Sequence, residues 1–172
     1  MNDRVNIFAY GSDICIEHAV KFYPEMDPVC PAVLMDYELA FWDNGNAAML
    51  HKDGAVLQGF VWSVPKDLME IVDNRKHYPS LKKKKTVTVN DYNTGKELTA
   101  TVYYADERYL SPFPPSAEYF GRMVEGYWWH RMETKPLFEA LENVNRDLVM
   151  MHSGQLRRPA PPTKTKPKSR ER

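Results

Sequence analysis

The chain has 172 residues, 43% of them hydrophobic and 27% charged, which is the make-up of one globular domain with a sizeable core. Its 23 basic and 23 acidic side chains cancel, and this excludes a wholesale nucleic-acid binder, which needs a basic field over its folded part. No apolar run approaches the roughly 18 residues of a membrane-spanning helix, and the stretch MNDRVNIFAYGSD lacks the apolar region of a secretory signal, so the expected location is cytoplasmic.

Val5–Tyr10 is short, apolar and aromatic and predicts a buried strand, with Gly11-Ser12-Asp13 as the tight turn after it. Ile14–Tyr23 predicts a short helix with Ile16, Ala19, Val20 and Tyr23 on its inner side. Pro24, Pro28 and Pro31 predict a loop. Ala32–Trp42 and Ala47–His51 read as strands joined at Asn44-Gly45-Asn46, and Lys52-Asp53-Gly54 reads as a second hairpin leading to Val56–Val64. Gly59 marks a bulge or a close approach inside that last strand. Pro65–Asn74 changes to helical period, with Leu68, Ile71 and Val72 on one face, and His77–Ser80 ends it. Lys82–Lys85 reads as a solvated edge protected by lysine, followed by the alternating strand Thr86–Val89. Asn93-Thr94-Gly95 turns into the strand Leu98–Tyr104. Ser116 is placed to cap a helix over Ala117–Arg131, with Tyr119, Met123 and Tyr127 on one face and Phe120, Val124 and Trp128 beside it. Pro136 opens a last helix to about Met151.

Hairpin-rich strands with helices at intervals predict an α+β fold, a small mixed β-sheet or barrel with peripheral helices. Residues 157–172 carry seven basic side chains against Glu171 alone, so residues 1–156 are net acidic by the same six charges. The last stretch is also rich in proline and poor in apolar residues. It predicts a disordered basic tail over 156–172, the one segment suited to polyanions, behind a folded domain over 1–155. No specific nucleic-acid partner is expected. Cys15 and Cys30 make neither a disulfide framework nor a zinc site, and His18, His51, His77, His130 and His152 have no metal-ligand spacing. No metal or cofactor is expected. The turn at Tyr10–Asp13 is the leading site candidate, because backbone N–H groups at the end of a strand can hold a carboxylate or an oxyanion.

Phe8-Ala9-Tyr10-Gly11-Ser12 resembles the FAYGS signature of the γ-glutamylcyclotransferase-like (AIG2-like) superfamily. The likeness continues in order through Asp36–Phe41, Gly54–Trp62, Leu68 with Val72-Asp73, Tyr78-Pro79, and Pro115-Ser116 with Tyr119 and Gly126. The resemblance implies a small mixed barrel with a cavity at the Tyr10-Gly11-Ser12 turn. It implies a small amino-acid-derived substrate of γ-glutamyl type, bound through Tyr10, Gly11, Ser12, Asp13 and Tyr119. It further implies a single glutamate that shuttles a proton while the substrate's α-amine attacks its own γ-carbonyl and releases 5-oxoproline. The sequence departs from the pattern at that point. Gapless matching puts Lys76 where the glutamate belongs, with Arg75 one residue away. Asp13 replaces the loop's asparagine, and Lys82 stands in place of a tyrosine. Lys76, Arg75 and Asp13 are therefore the candidate catalytic residues, with Asp13 expected as the partner of a cavity cation. Three readings follow. One is an enzyme of altered acid/base chemistry, one is a non-catalytic descendant that binds a metabolite or protein, and one is an ordinary cyclotransferase with its carboxylate moved to Asp13, Asp73 or Glu118.

Overall fold

The structure, a computed structural model, describes residues 3–23 and 25–154. The expected tail over 156–172 lies outside them. In chain order the elements are β1 (Arg4–Ala9), a 3-10 turn (Ser12–Ile14), α1 (Ile16–Phe22), β2 (Asp27–Trp42), β3 (Asn46–Pro65), α2 (Met69–Arg75), β4 (Lys83–Asp91), β5 (Glu97–Tyr104), α3 (Ala117–Trp129) and α4 (Lys135–His152). The strands close into a barrel in the order β1-β3-β2-β4-β5. Every neighbouring pair is antiparallel except β1 with β5, which meet in parallel at Ile7 and Thr101. The fold is α+β, a small mixed barrel with its helices outside.

Ile7, Phe8 and Ala9 are consecutive and all buried. β1 is therefore covered on both faces, which is what its unbroken apolar run predicts. Phe8, Leu57, Trp62, Val89 and Val102 form the barrel core, and Met123, Tyr127 and Leu137 bring α3 and α4 into the same cluster. Ser116 caps α3 by accepting the Tyr119 N–H at 3.1 Å.

Several expectations need correction. Pro28 and Pro31 do not sit in a loop. They lie within β2, paired with Trp62 and Phe60. On its other side β2 meets β4 only at Ala32 and Val33, so Pro28 and Pro31 lie in a stretch of β2 paired on one side alone, where proline is tolerated. Lys52-Asp53-Gly54 is not a hairpin, because β3 runs through it. Asp36 bulges out of β2 with φ 66°, and its carboxylate accepts the Gly54 N–H at 2.9 Å. The two strands thus bend together at Asp36 and Gly54. Ile16, Val20, Ile71 and Trp128 are exposed. In α1, which begins at Ile16, the buried positions are His18 and Ala19. The lysine run is not a free edge either: β4 pairs with β5 from Lys83 onward, Lys84 reaches Asp73, and Lys85 donates to the Tyr37 hydroxyl at 2.7 Å.

Gly59 marks a close approach of strands. A Cβ there would stand 2.4 Å from the Ala9 carbonyl oxygen and 2.6 Å from the Phe8 ring. Gly59→Ala is expected to cost about 2 kcal/mol by overpacking and to lower Tm by roughly 4–8 °C in a thermal melt. An unchanged Tm would contradict this packing of β1 on β3.

Candidate functional site

At the C-terminal end of β1 the chain leaves the barrel as Tyr10-Gly11-Ser12-Asp13. Every carbonyl from Gly11 to Ile14 is occupied. Gly11 O accepts Ile14 N–H, Ser12 O accepts Cys15 N–H, Asp13 O accepts the Trp62 indole N–H at 2.8 Å, and Ile14 O lies 2.8 Å from His130 Nε2. His130 is itself stacked on Phe60 at 3.9 Å. The Gly11, Ser12 and Asp13 N–H groups have no backbone acceptor among the described residues. The loop is thus fixed through its acceptors, and the Tyr119 hydroxyl takes the Ser12 N–H.

This loop borders a cavity of about 320 Å³, within the range of small-molecule sites. Gly11, Ser12, Asp13, His18, Asn46, Arg75, Lys76, Lys82, Tyr119 and Arg122 contribute to its lining. Among the described residues Asp13 is the only carboxylate in that lining, against four lysines and arginines. Its Oδ2 accepts Lys76 Nζ at 2.5 Å, and its Oδ1 lies 3.7 Å from His18 Nε2. Burial alone would raise the Asp13 pKa. The Lys76 charge and hydrogen bond, with His18 and Arg75, outweigh it and hold the carboxyl below its usual range. The His18 pKa is lowered as well, which for an imidazole favours the neutral form. Burial lowers its pKa and Asp13 opposes this only in part, with Arg122, Arg75 and Lys21 adding to the lowering. His18 is therefore a neutral base near pH 7.

The second wall is built by α2 and the turn after it. Lys76 ends α2 as its C-cap, and His77 enters the left-handed region at φ 56°. The N–H groups of Leu81 and Lys82 both return to His77 O, at 2.8 and 3.1 Å. That closed turn brings Lys76 and Lys82 to the same cavity. Asp73 anchors α2 by accepting the Tyr103 hydroxyl at 2.5 Å and Lys84 Nζ at 2.9 Å. Tyr10 donates its own hydroxyl to Tyr103 O at 2.6 Å, so its side chain braces the wall. Tyr119 Oη accepts Ala47 N–H at 3.0 Å, and burial raises its pKa.

The structure brings Tyr10, Gly11, Ser12, Asp13, Lys76, Arg75 and Tyr119 to one cavity. Arg75 sits at its rim, with the guanidinium 3.6 Å above the Phe22 ring. Asp73 and Glu118 are not among the lining residues; Asp73 is bound as described and Glu118 pairs with Arg122 along α3. Sequence reasoning missed His18, Asn46 and Arg122, for which no local motif exists, and read Lys82 as part of a solvated lysine run. Among the described residues no three His, Cys, Asp or Glu side chains converge as metal ligands.

The depressed Asp13 pKa has a measurable consequence. Its stabilising contribution is complete above the unfolded value of 3.8 and is lost as pH falls through the lower folded value. Wild-type stability should therefore fall more steeply than that of Asp13→Asn as pH drops below about 4, in urea unfolding compared across pH. Parallel curves would show that the pair contributes nothing in solution.

A family model described as gamma-glutamyl cyclotransferase, AIG2-like, matches residues 7–133. Solved structures share the fold. One named gamma-glutamyl cyclotransferase has TM-score 0.72 and 22% identity over 98% of this chain and 95% of its own. The protein loc79017 from Homo sapiens has TM-score 0.71 and 22% identity over 97% and 94%. The gamma glutamyl cyclotransferase specific to glutathione from yeast has TM-score 0.59 and 14% identity over 85% and 97%. No curated protein matches the chain. With its family signature at the mouth of the cavity and the family model spanning most of the barrel, the chain belongs to the gamma-glutamyl cyclotransferase, AIG2-like family.

Proposed function

We propose that this protein is a cyclotransferase-fold enzyme of altered acid/base chemistry, acting on a small amino-acid-derived amide of γ-glutamyl type. The observation that carries the reading is the Asp13–Lys76 pair inside the cavity. A carboxylate held ionised by a cation at 2.5 Å is a poor acceptor for an amine proton. Neither Asp73 nor Glu118 lines the cavity, so no relocated carboxylate takes over the glutamate's part. The group suited to accept a proton is neutral His18, oriented beside Asp13.

In this scheme the substrate's carboxylate is held by the Gly11 and Asp13 N–H groups of the loop, which have no backbone acceptor among the described residues. Its α-amine attacks its γ-carbonyl carbon, forming the new C–N bond. His18 takes the amine proton. Lys76 donates a hydrogen bond to the carbonyl oxygen as negative charge develops there. The tetrahedral centre then collapses, the scissile C–N bond breaks, and protonated His18 returns the proton to the departing amine. The products are 5-oxoproline and a free amine. Attack within one molecule carries a small entropic barrier once the substrate is held folded, so these few groups suffice.

The test is release of 5-oxoproline from a panel of γ-glutamyl amino acids and amines. His18→Gln should lower kcat by about 100-fold or more, and Lys76→Met by a similar factor. The wild-type acid limb should lie below pH 6.5, because activity needs neutral His18 and its pKa is lowered from that value. Full rates in both variants would overturn the mechanism. A folded wild type that turns over none of the panel would move the protein to the non-catalytic, ligand-binding reading.

A further inference from the structure

The barrel wall is open between β2 and β4. The two strands pair only at Ala32 with Asp91 and at Val33 with Asn90. From there toward Trp42, β2 has β3 alone as its partner strand, and β4 back to Lys83 has β5 alone. A second cavity, of about 290 Å³, lies at this gap, walled by Tyr37, Met49, Lys85, Tyr104 and Ala105. It shares no lining residue with the cavity at the Tyr10–Asp13 loop. Tyr103 lines the first cavity and Tyr104 the second, as alternation along β5 requires.

Lys85 crosses the gap. Its ammonium donates to the Tyr37 hydroxyl at 2.7 Å and lies 4.9 Å from the centroid of the Tyr37 ring and 4.8 Å from that of Tyr104. Tyr37 is itself held edge-on against His51 at 5.6 Å. These contacts fix the charge in place, an order that a lysine on a free, flexible stem lacks. An ammonium has three donors, and the Tyr37 hydroxyl is the one hydrogen-bond acceptor that Lys85 meets among the described residues. Two carboxylates border the cavity, and both are engaged by other groups. Asp106 binds the Arg108 guanidinium through both oxygens, at 3.0 and 2.6 Å, and Glu107 accepts the His51 N–H at 2.6 Å. Among the described residues neither forms an ion pair with Lys85. The cavity thus holds a positioned cation with donors to spare, between apolar and aromatic walls.

We propose that this cavity is a second ligand site, for a small carboxylate with an apolar body. The carboxylate takes the free donors of Lys85, and the body lies against Tyr104, Met49 and Ala105. The site is independent of the enzymatic reading: none of the hydrogen bonds or ring contacts of Lys85 involves Gly11, Asp13, His18 or Lys76.

The test is an NMR titration of the full chain with phenylacetate, phenylacetamide and acetate. Phenylacetate carries both charge and ring, the amide keeps the ring without the charge, and acetate keeps the charge without the ring. The wild type should bind phenylacetate about 10-fold or more tightly than phenylacetamide, the scale of a hydrogen bond between charged groups. It should prefer phenylacetate to acetate by about 10-fold as well, through burial of the ring. Backbone amide shifts should move at Tyr37 and from Tyr104 to Glu107, and stay in place at Gly11 and Ser12. Lys85→Met should shrink the preference for acid over amide to less than about 3-fold, and Lys85→Arg should keep it. The site is overturned by no binding of phenylacetate, by equal affinity for acid and amide or for phenylacetate and acetate, or by shifts centred on Gly11 and Ser12. An acid preference that survives Lys85→Met overturns it too. If Lys85→Met does not fold, the wild-type shift map and the two affinity ratios decide by themselves.

Discussion

A carboxylate buried at the end of a barrel strand has to be compensated, and in this protein Lys76 does it. Asp13 is nearly inaccessible, yet its surroundings favour the charged form. That balance requires α2 to end where it does, so that the C-cap residue reaches back across the cavity. It requires Asp73, one turn earlier on α2, to be tied to β4 through Lys84 and to β5 through Tyr103. It also requires the loop to be fixed from behind by Trp62 and His130. Removing either member of such a pair strands the other charge, which is why buried pairs are expensive to break one side at a time.

The same constraint separates scaffold from chemistry. The barrel, the Tyr10–Asp13 loop and the family model's span put the chain in its family, but a fold hosts a reaction only through the groups in its site. A proton-shuttling glutamate and a lysine paired with aspartate impose opposite electrostatics on the same cavity. One offers a place for a proton. The other offers a fixed positive charge and leaves proton transfer to a neighbour. In the proposed scheme His18 is that neighbour: burial and nearby arginines disfavour its charged form, while the surroundings of Asp13 favour its charged form.

Much of the fold was legible because its signals are local. The apolar run of β1, the Ser116 cap and the Asn93–Gly95 turn each follow from a few adjacent residues. The errors came where tertiary pairing overrode a local signal. Proline reads as loop, but an edge of β2 accepts it. Lys52-Asp53-Gly54 reads as a turn, but Asp36 on the opposite strand takes the Gly54 N–H and makes it a bend. Four successive lysines read as solvated, yet three of them find Asp73, Tyr37 and the cavity. In the site, the loop and Lys76 were legible from the order of motifs. His18 and Arg122 were not, because they reach the cavity only through the packing of α1 and α3.

The charge distribution follows from this arrangement. Residues 1–156 carry an excess of acidic side chains, yet the cavity wall is cationic. Acidic groups that could have neutralised it are used elsewhere: Asp73 holds α2 in place, and Glu118 steadies Arg122 along its own helix. Among the described residues only Asp13 enters, and Lys76 already holds it. Long-range fields from the acidic exterior are screened within about 10 Å at ordinary salt, whereas the enclosed cations act on a ligand at contact distance with little screening. The electrostatic character of the cavity is therefore set by the few charges inside it and not by the protein's overall charge.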